Sequence, residues 1–191
     1  MPAPTNCWRW PKRQPAGFDP HAPGPVRQQR VNPLRVAIGA DHQGFEAKEA
    51  VKLHLGQAAP DGGRVIVSDA GIHAPASADY PLVAAQVARM VSRGECDRGI
   101  LICGSGIGTA VVANKVRGVI AATVTDLFGV QLCRRHLDAN VLCLAARQTA
   151  IDLMRPIVDV FLATPFEGGR HGRRVGQIRE IEQEELGGRA T

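Results

Sequence analysis

The 191 residues suffice for one α/β domain with its own core, and 45% hydrophobic against 21% charged side chains is the balance of an ordinary globule. No apolar run approaches the ~20 residues of a membrane-spanning helix and the N-terminus lacks the apolar block of a secretory leader, so we expect no membrane partner and a cytoplasmic protein. The formal net charge is +5, yet residues 1–34 hold five Lys/Arg against one Asp, and residues 35–191 hold eighteen against seventeen acids; the body is nearly neutral, and with no basic stripe interleaved with aromatics we expect no nucleic-acid partner.

Residues 1–33 are proline-rich and aperiodic, which predicts a disordered extension. Their arginines resemble an organelle transit peptide, but the prolines break the amphipathic helix such a segment uses. From residue 34 a rhythm begins. The run 34–40 (LRVAIGA) predicts a strand, and 44–57 a helix with Ala47, Val51 and Leu55 on one face. Next come a strand at 64–70 and a helix at 80–94 with Pro81 in its first turn. A strand at 99–103 leads into a short helix at 108–116, and a strand at 118–124 into a helix at 126–136 capped by Asp126. A strand at 140–145 and a helix at 149–163, kinked at Pro156, precede a polar helix at 173–186.

Continuously apolar strands are buried on both faces and imply a parallel sheet. Five of them with crossover helices predict a doubly wound, Rossmann-like three-layer α/β sandwich over 34–186, with 187–191 as a flexible tail. In such a sheet ligands bind beyond the carboxyl ends of the strands. That rule singles out Asp41 and His42, Cys103 to Gly108, and Arg147.

The stretch GILICGSGIGTAVVANK, residues 99–115, carries the strongest chemical signal. It lacks the Gly-Lys-Ser/Thr of a Walker A loop, and Thr109 stands where a dinucleotide fingerprint needs its last glycine. Gly104, Gly106 and Gly108 let backbone N–H groups approach an anion, and the next helix's N-terminus favours negative charge. A tight turn without a ligand is the plain alternative. Cys103 at the lip of this turn has a reason to ionise. The five cysteines are odd in number with no C-x-x-C pair, against a disulfide framework or a zinc cluster; Cys96, Cys133 and Cys143 read as small buried hydrophobes. His136 ends a helix, where an imidazolium is favoured and simple capping is the alternative. Arg170 and Arg174 follow Gly168-Gly169; four apart, they share a helical face and fork onto one phosphate, or else form a solvated basic face.

GADHQGF (39–45), ADYP (78–81), GILICGSGIGTAVVANK, RRHLDANVL (134–142) and FEGGRHGRRV (166–175) stand in one order and spacing. With them the body, 35–186, resembles ribose-5-phosphate isomerase type B and the galactose-6-phosphate isomerase group. The resemblance implies an aldose–ketose isomerase that interconverts ribose 5-phosphate and ribulose 5-phosphate through a cis-enediolate, with no metal and no cofactor. It implies Cys103 as the base and His136 as the acid that opens the furanose ring. The N–H groups of Gly104, Ser105, Gly106, Ile107 and Gly108 would hold the enediolate oxygens as an oxyanion hole does. Asp41 and His42 would meet the sugar, and Arg147, Arg170 and Arg174 the phosphate. One branch of the family places a glutamate base where this chain has Thr109, so the cysteine branch is the match. The resemblance also implies a homodimer or dimer of dimers with shared active sites, His136 acting across the interface. Leu137 stands where the family usually has a sugar-contacting asparagine. A leucine cannot bond a hydroxyl, so a tetrose, hexose or deoxy sugar phosphate is an alternative substrate. A non-catalytic phosphosugar-binding protein is an alternative function.

Overall fold

The apolar runs fold as neighbouring strands because only a sheet covered on both faces hides them from water. The computed structural model describes residues 33–57, 64–74 and 77–187. The expected disordered extension, apart from Pro33, and the end of the chain beyond Gly187 lie outside the described residues. In chain order the elements are β1 (Leu34–Ala40), α1 (Phe45–Gln57), β2 (Val65–Asp69), α2 (Tyr80–Ser92), β3 (Arg98–Cys103), α3 (Ile107–Ala113), β4 (Ala121–Thr123), α4 (Leu127–Leu137), β5 (Val141–Ala145), α5 (Ile151–Ala163) and α6 (Gly169–Gly187). The sheet order is β2-β1-β3-β5-β4, and every pairing is parallel.

Side-chain alternation sorts each strand between two cores. Val36, Ile38, Ile100, Ile102, Leu142 and Leu144 point to one face, where α1, α4 and α5 supply Val51, Leu55, Val130, Ile157 and Phe161. Ala37, Leu101, Val141 and Cys143 point to the other, against Ala84, Val87 and Ala88 of α2 and Ala113 of α3. Small residues bring α2 close: a Cβ on Gly39 would lie 2.7 Å from Val83 Cγ1. The first crossover leaves β1 in one direction and the chain returns to β3 in the other, so the helices switch faces between these two strands. Their carboxyl ends therefore open onto a crevice.

Three elements differ from expectation. β2 is an edge strand with Ile66 exposed rather than buried on both faces. β4 shrinks to three residues because Gly118 takes a left-handed φ of 76° and the Ile120 N–H is bound by the Asn140 side chain, 2.9 Å away. The last helix begins at Gly169, four residues early, which places Arg170 in its first turn.

Candidate active site

The β1 end is built around Asp41. Its buried carboxylate accepts from the Gln43 N–H at 2.9 Å and the Gly44 N–H at 3.1 Å, a closed Asx turn that leaves His42 exposed at the rim. Gln43 reaches across the crevice: its Oε1 accepts from Arg147 Nε at 3.3 Å and Nη2 at 3.1 Å. The β3 and β5 ends are joined by backbone, Ala146 N–H to the Cys103 carbonyl at 2.8 Å and Arg147 N–H to the Gly104 carbonyl at 3.0 Å. Arg147 passes over the glycine turn, its Nε 3.4 Å from where a Cβ of Gly104 would stand.

The turn aims its groups at sulfur. Gly106 has a φ of 72°, and a side chain there would meet Thr123 Cγ2 at 2.8 Å, so only glycine suits the position. The hydroxyls of Thr109 and Thr123 donate to its carbonyl at 3.0 and 2.9 Å and fix the turn. Its N–H then donates to Cys103 Sγ at 3.2 Å, and Thr109 Oγ1 lies 3.5 Å from the same sulfur. The sulfur thus sits between a backbone donor and a hydroxyl at the start of α3. The Cys143 thiol behind it is pushed up to about 12 by burial. Ser105 Oγ accepts from the Ile107 N–H at 3.3 Å, and Tyr80 packs against Gly108, where a Cβ would be 2.7 Å from its ring. Asp41, His42, Cys103, the 104–108 turn and Arg147 thus share one edge.

His136, Leu137, Arg170 and Arg174 belong to the other edge. α4 runs antiparallel to the strands and ends just before Asn140, whose carbonyl accepts from the Gly99 N–H at the start of β3. From there to Cys103 is the length of β3, about 16 Å. At this edge the His136 and His171 rings stack 4.0 Å apart, and Glu167 ion-pairs with Arg135. Burial, then the charges of His136, Arg170 and Arg174, hold the His171 imidazole below its usual range. His136, Glu167 and His171 bring donor atoms within 4.8 Å of one another, as a metal ion needs. Arg135 and Arg170 already occupy Glu167 Oε1 and His171 Nε2, however, so the cluster is cation-poor ground.

The stretch 36–178 matches the Ribose/Galactose Isomerase family model. The chain belongs to the ribose/galactose isomerase family. It is similar to the ribose-5-phosphate isomerase B of Escherichia coli, 42% identical over 149 residues that cover 78% of this chain and 97% of that protein. It is also similar to D-erythrulose-4-phosphate isomerase 2 of Mycolicibacterium smegmatis, 38% identical over 70% of this chain and 87% of that protein. A solved ribose-5-phosphate isomerase B from Mycoplasma genitalium with bound ribulose-5-phosphate superposes with a TM-score of 0.72 at 40% identity, covering 79% of this chain and 97% of that chain. The chain is accordingly an isomerase with the ribose/galactose isomerase fold.

Family membership leaves several side chains that sequence reasoning did not assign to the site. Gln43, which holds Arg147, and Tyr80, which covers Gly108, lie inside or beside two of the motifs. Thr109 lies within the glycine motif and bonds the Gly106 carbonyl from three residues on, whereas Thr123 carries no local signal, because its role arises only when β4 comes beside the turn.

Proposed function

We propose that the chain interconverts ribose 5-phosphate and ribulose 5-phosphate in sites assembled from two copies. The observation that carries this reading is the Cys103 sulfur, buried under the Gly106 N–H at the mouth of the β1/β3 crevice with Arg147 alongside. The thiolate takes the proton from C2 of the open aldose, the C2–H electron pair forms the C1=C2 bond, and the C1=O1 π pair moves onto O1 to give the enediolate. Backbone N–H groups of the 104–108 turn balance the charge on its oxygens. The thiol then returns the proton to C1 while the O2 hydroxyl proton passes to O1 and C2=O2 forms, giving the ketose. Arg147 holds the phosphate, remote from the reacting carbons, so its binding energy positions them.

One copy does not hold all of this machinery together. His136, Arg170 and Arg174 lie a strand's length from Cys103, and a second copy would bring its own set to the crevice. Exposed Ile107, Val111, Leu127 and Phe128, on α3 and the start of α4, offer the apolar surface for such an encounter. Leu137, exposed beside His136, supports a second reading in which a tetrose 4-phosphate is preferred, because it gives no hydrogen bond to a sugar hydroxyl.

The test is turnover of ribose 5-phosphate by the purified chain with a chelator present, beside Cys103→Ala. The variant should lose about 100-fold or more in kcat while ribose 5-phosphate still raises its Tm. Near-full activity in the variant would remove Cys103 as base. A Leu137→Asn variant should shift preference toward ribose 5-phosphate over erythrose 4-phosphate; an unchanged ratio would reject the tetrose reading.

A further inference from the structure

The turn between α5 and α6 builds an arrangement around His136 that the proposed chemistry does not yet use. His136 on α4 and His171 on α6 stack face to face, 3° from parallel. Glu167 lies along their edges, its Oε2 3.7 Å from His136 Nε2 and 3.6 Å from His171 Nε2. Its other oxygen accepts from Arg135 Nε at 2.6 Å, and its backbone N–H donates to the Arg135 carbonyl at 3.0 Å. The carboxylate is thus fixed from both its main chain and its side chain.

Two imidazolium rings 4.0 Å apart repel each other, so the stack favours a single charge. The surroundings decide which ring bears it. Arg170 Nε donates to His171 Nε2 at 3.3 Å. An arginine only donates, so that nitrogen presents its lone pair and the His171 proton sits on Nδ1. His171 is also buried, and Arg170 and Arg174 add positive charge from α6. His136 is about one-third exposed and ends α4, where the last carbonyls favour a cation. The charged and titratable groups around the pair are Arg135 from α4, Glu167 from the turn, and Arg170 and Arg174 from α6. Among these four only Glu167 is negative.

We infer that Glu167 is a positioning residue for the ring-opening acid, its carboxylate keeping the single proton of the stacked pair on His136 while His171 stays neutral beneath it. This rests on the reading of His136 as that acid. The consequence is selective. Ribose 5-phosphate must open its furanose, which takes a proton on the ring oxygen. Erythrose 4-phosphate has no ring to open, because its phosphate occupies the oxygen that would close one.

The test compares the full-length wild type, Glu167→Gln, Glu167→Asp and His136→Gln. In Glu167→Gln the alkaline limb of kcat/KM for ribose 5-phosphate should move to lower pH, with a loss of about tenfold at pH 8 or so. Turnover of erythrose 4-phosphate should change less than about twofold, and Glu167→Asp should recover much of the loss. Imidazole nitrogen NMR at about pH 6.5 needs no activity. It should show His171 in the neutral Nδ1–H form in wild type and Glu167→Gln, and His136 displaced toward the neutral form in the variant. A charged His171, or ring signals unmoved by Glu167→Gln, would overturn the inference, as would equal losses on both substrates. If His136→Gln instead turns over ribose 5-phosphate like wild type, the reading of His136 as acid fails, and the ring signals alone decide where Glu167 holds the proton.

Discussion

Gly44 occupies a place with no room for a side chain: a Cβ there would stand 2.3 Å from the Ile102 carbonyl oxygen. The obstacle is backbone of the central strand, which cannot rotate away. Gly44→Ala should therefore cost about 1–3 kcal/mol by overpacking and push the Asp41 turn, with Gln43, out of register with Arg147. Urea unfolding measures the first effect, and a raised KM for the sugar phosphate the second. Gly56, inside α1 with open space around it, is the control, and Gly56→Ala should stabilise by up to about 1 kcal/mol. The glycine turn was legible in the sequence because its residue types have few other uses. Its partner Thr123 was not, since a threonine signals nothing until a neighbouring strand puts it against a carbonyl.

At the scale of elements, α1 is locked to the β2 end by a buried ion pair. The Lys48 side chain is 0% exposed, its Nζ 2.7 Å from Asp69 Oδ2 and donating to the Ile72 carbonyl at 2.7 Å. Burial pushes the Asp69 carboxyl up, but Lys48 and Lys52 outweigh it and hold it below the usual carboxylate range. A carboxyl depressed in the folded state contributes stability that is present above its unfolded value of about 3.9 and is lost as the pH falls through the folded value. Asp69→Asn should cost about 3 kcal/mol at neutral pH and flatten the acid limb of stability against pH, both read by denaturant titration. Strand and helix positions were largely legible, down to the Asp126 cap, whose Oδ1 accepts from the Gly129 N–H at 2.7 Å. The misread elements have local causes. The apolar run at 118–124 was cut short by Asn140, whose amide takes the Ile120 N–H that a longer strand would use. The start of α6 was hidden because its first residue is a glycine, a poor helix former. The stack of His136 on His171 joins residues 35 apart through a turn, a distance at which spacing in the sequence says nothing about contact.

For the whole molecule, the candidate site residues divide between the two edges of the sheet. Under the proposed function, this division makes the second copy part of the chemistry rather than an accessory. Phe128 is 71% exposed on the chain alone, so Phe128→Asp should leave the fold stable. If its surface meets a second copy, light scattering should show a monomer, and turnover should vanish with the dimer. The most direct measurement mixes two inactive chains, Cys103→Ala and His136→Gln, under conditions that allow subunits to exchange. In a two-fold dimer with shared sites, each mixed dimer has one site with both defects and one with neither, so random mixing should restore about a quarter of the wild-type activity. Activity that fails to return, in mixtures shown by mass to have exchanged, would place Cys103 and His136 in the same chain's site and contradict the shared-site account.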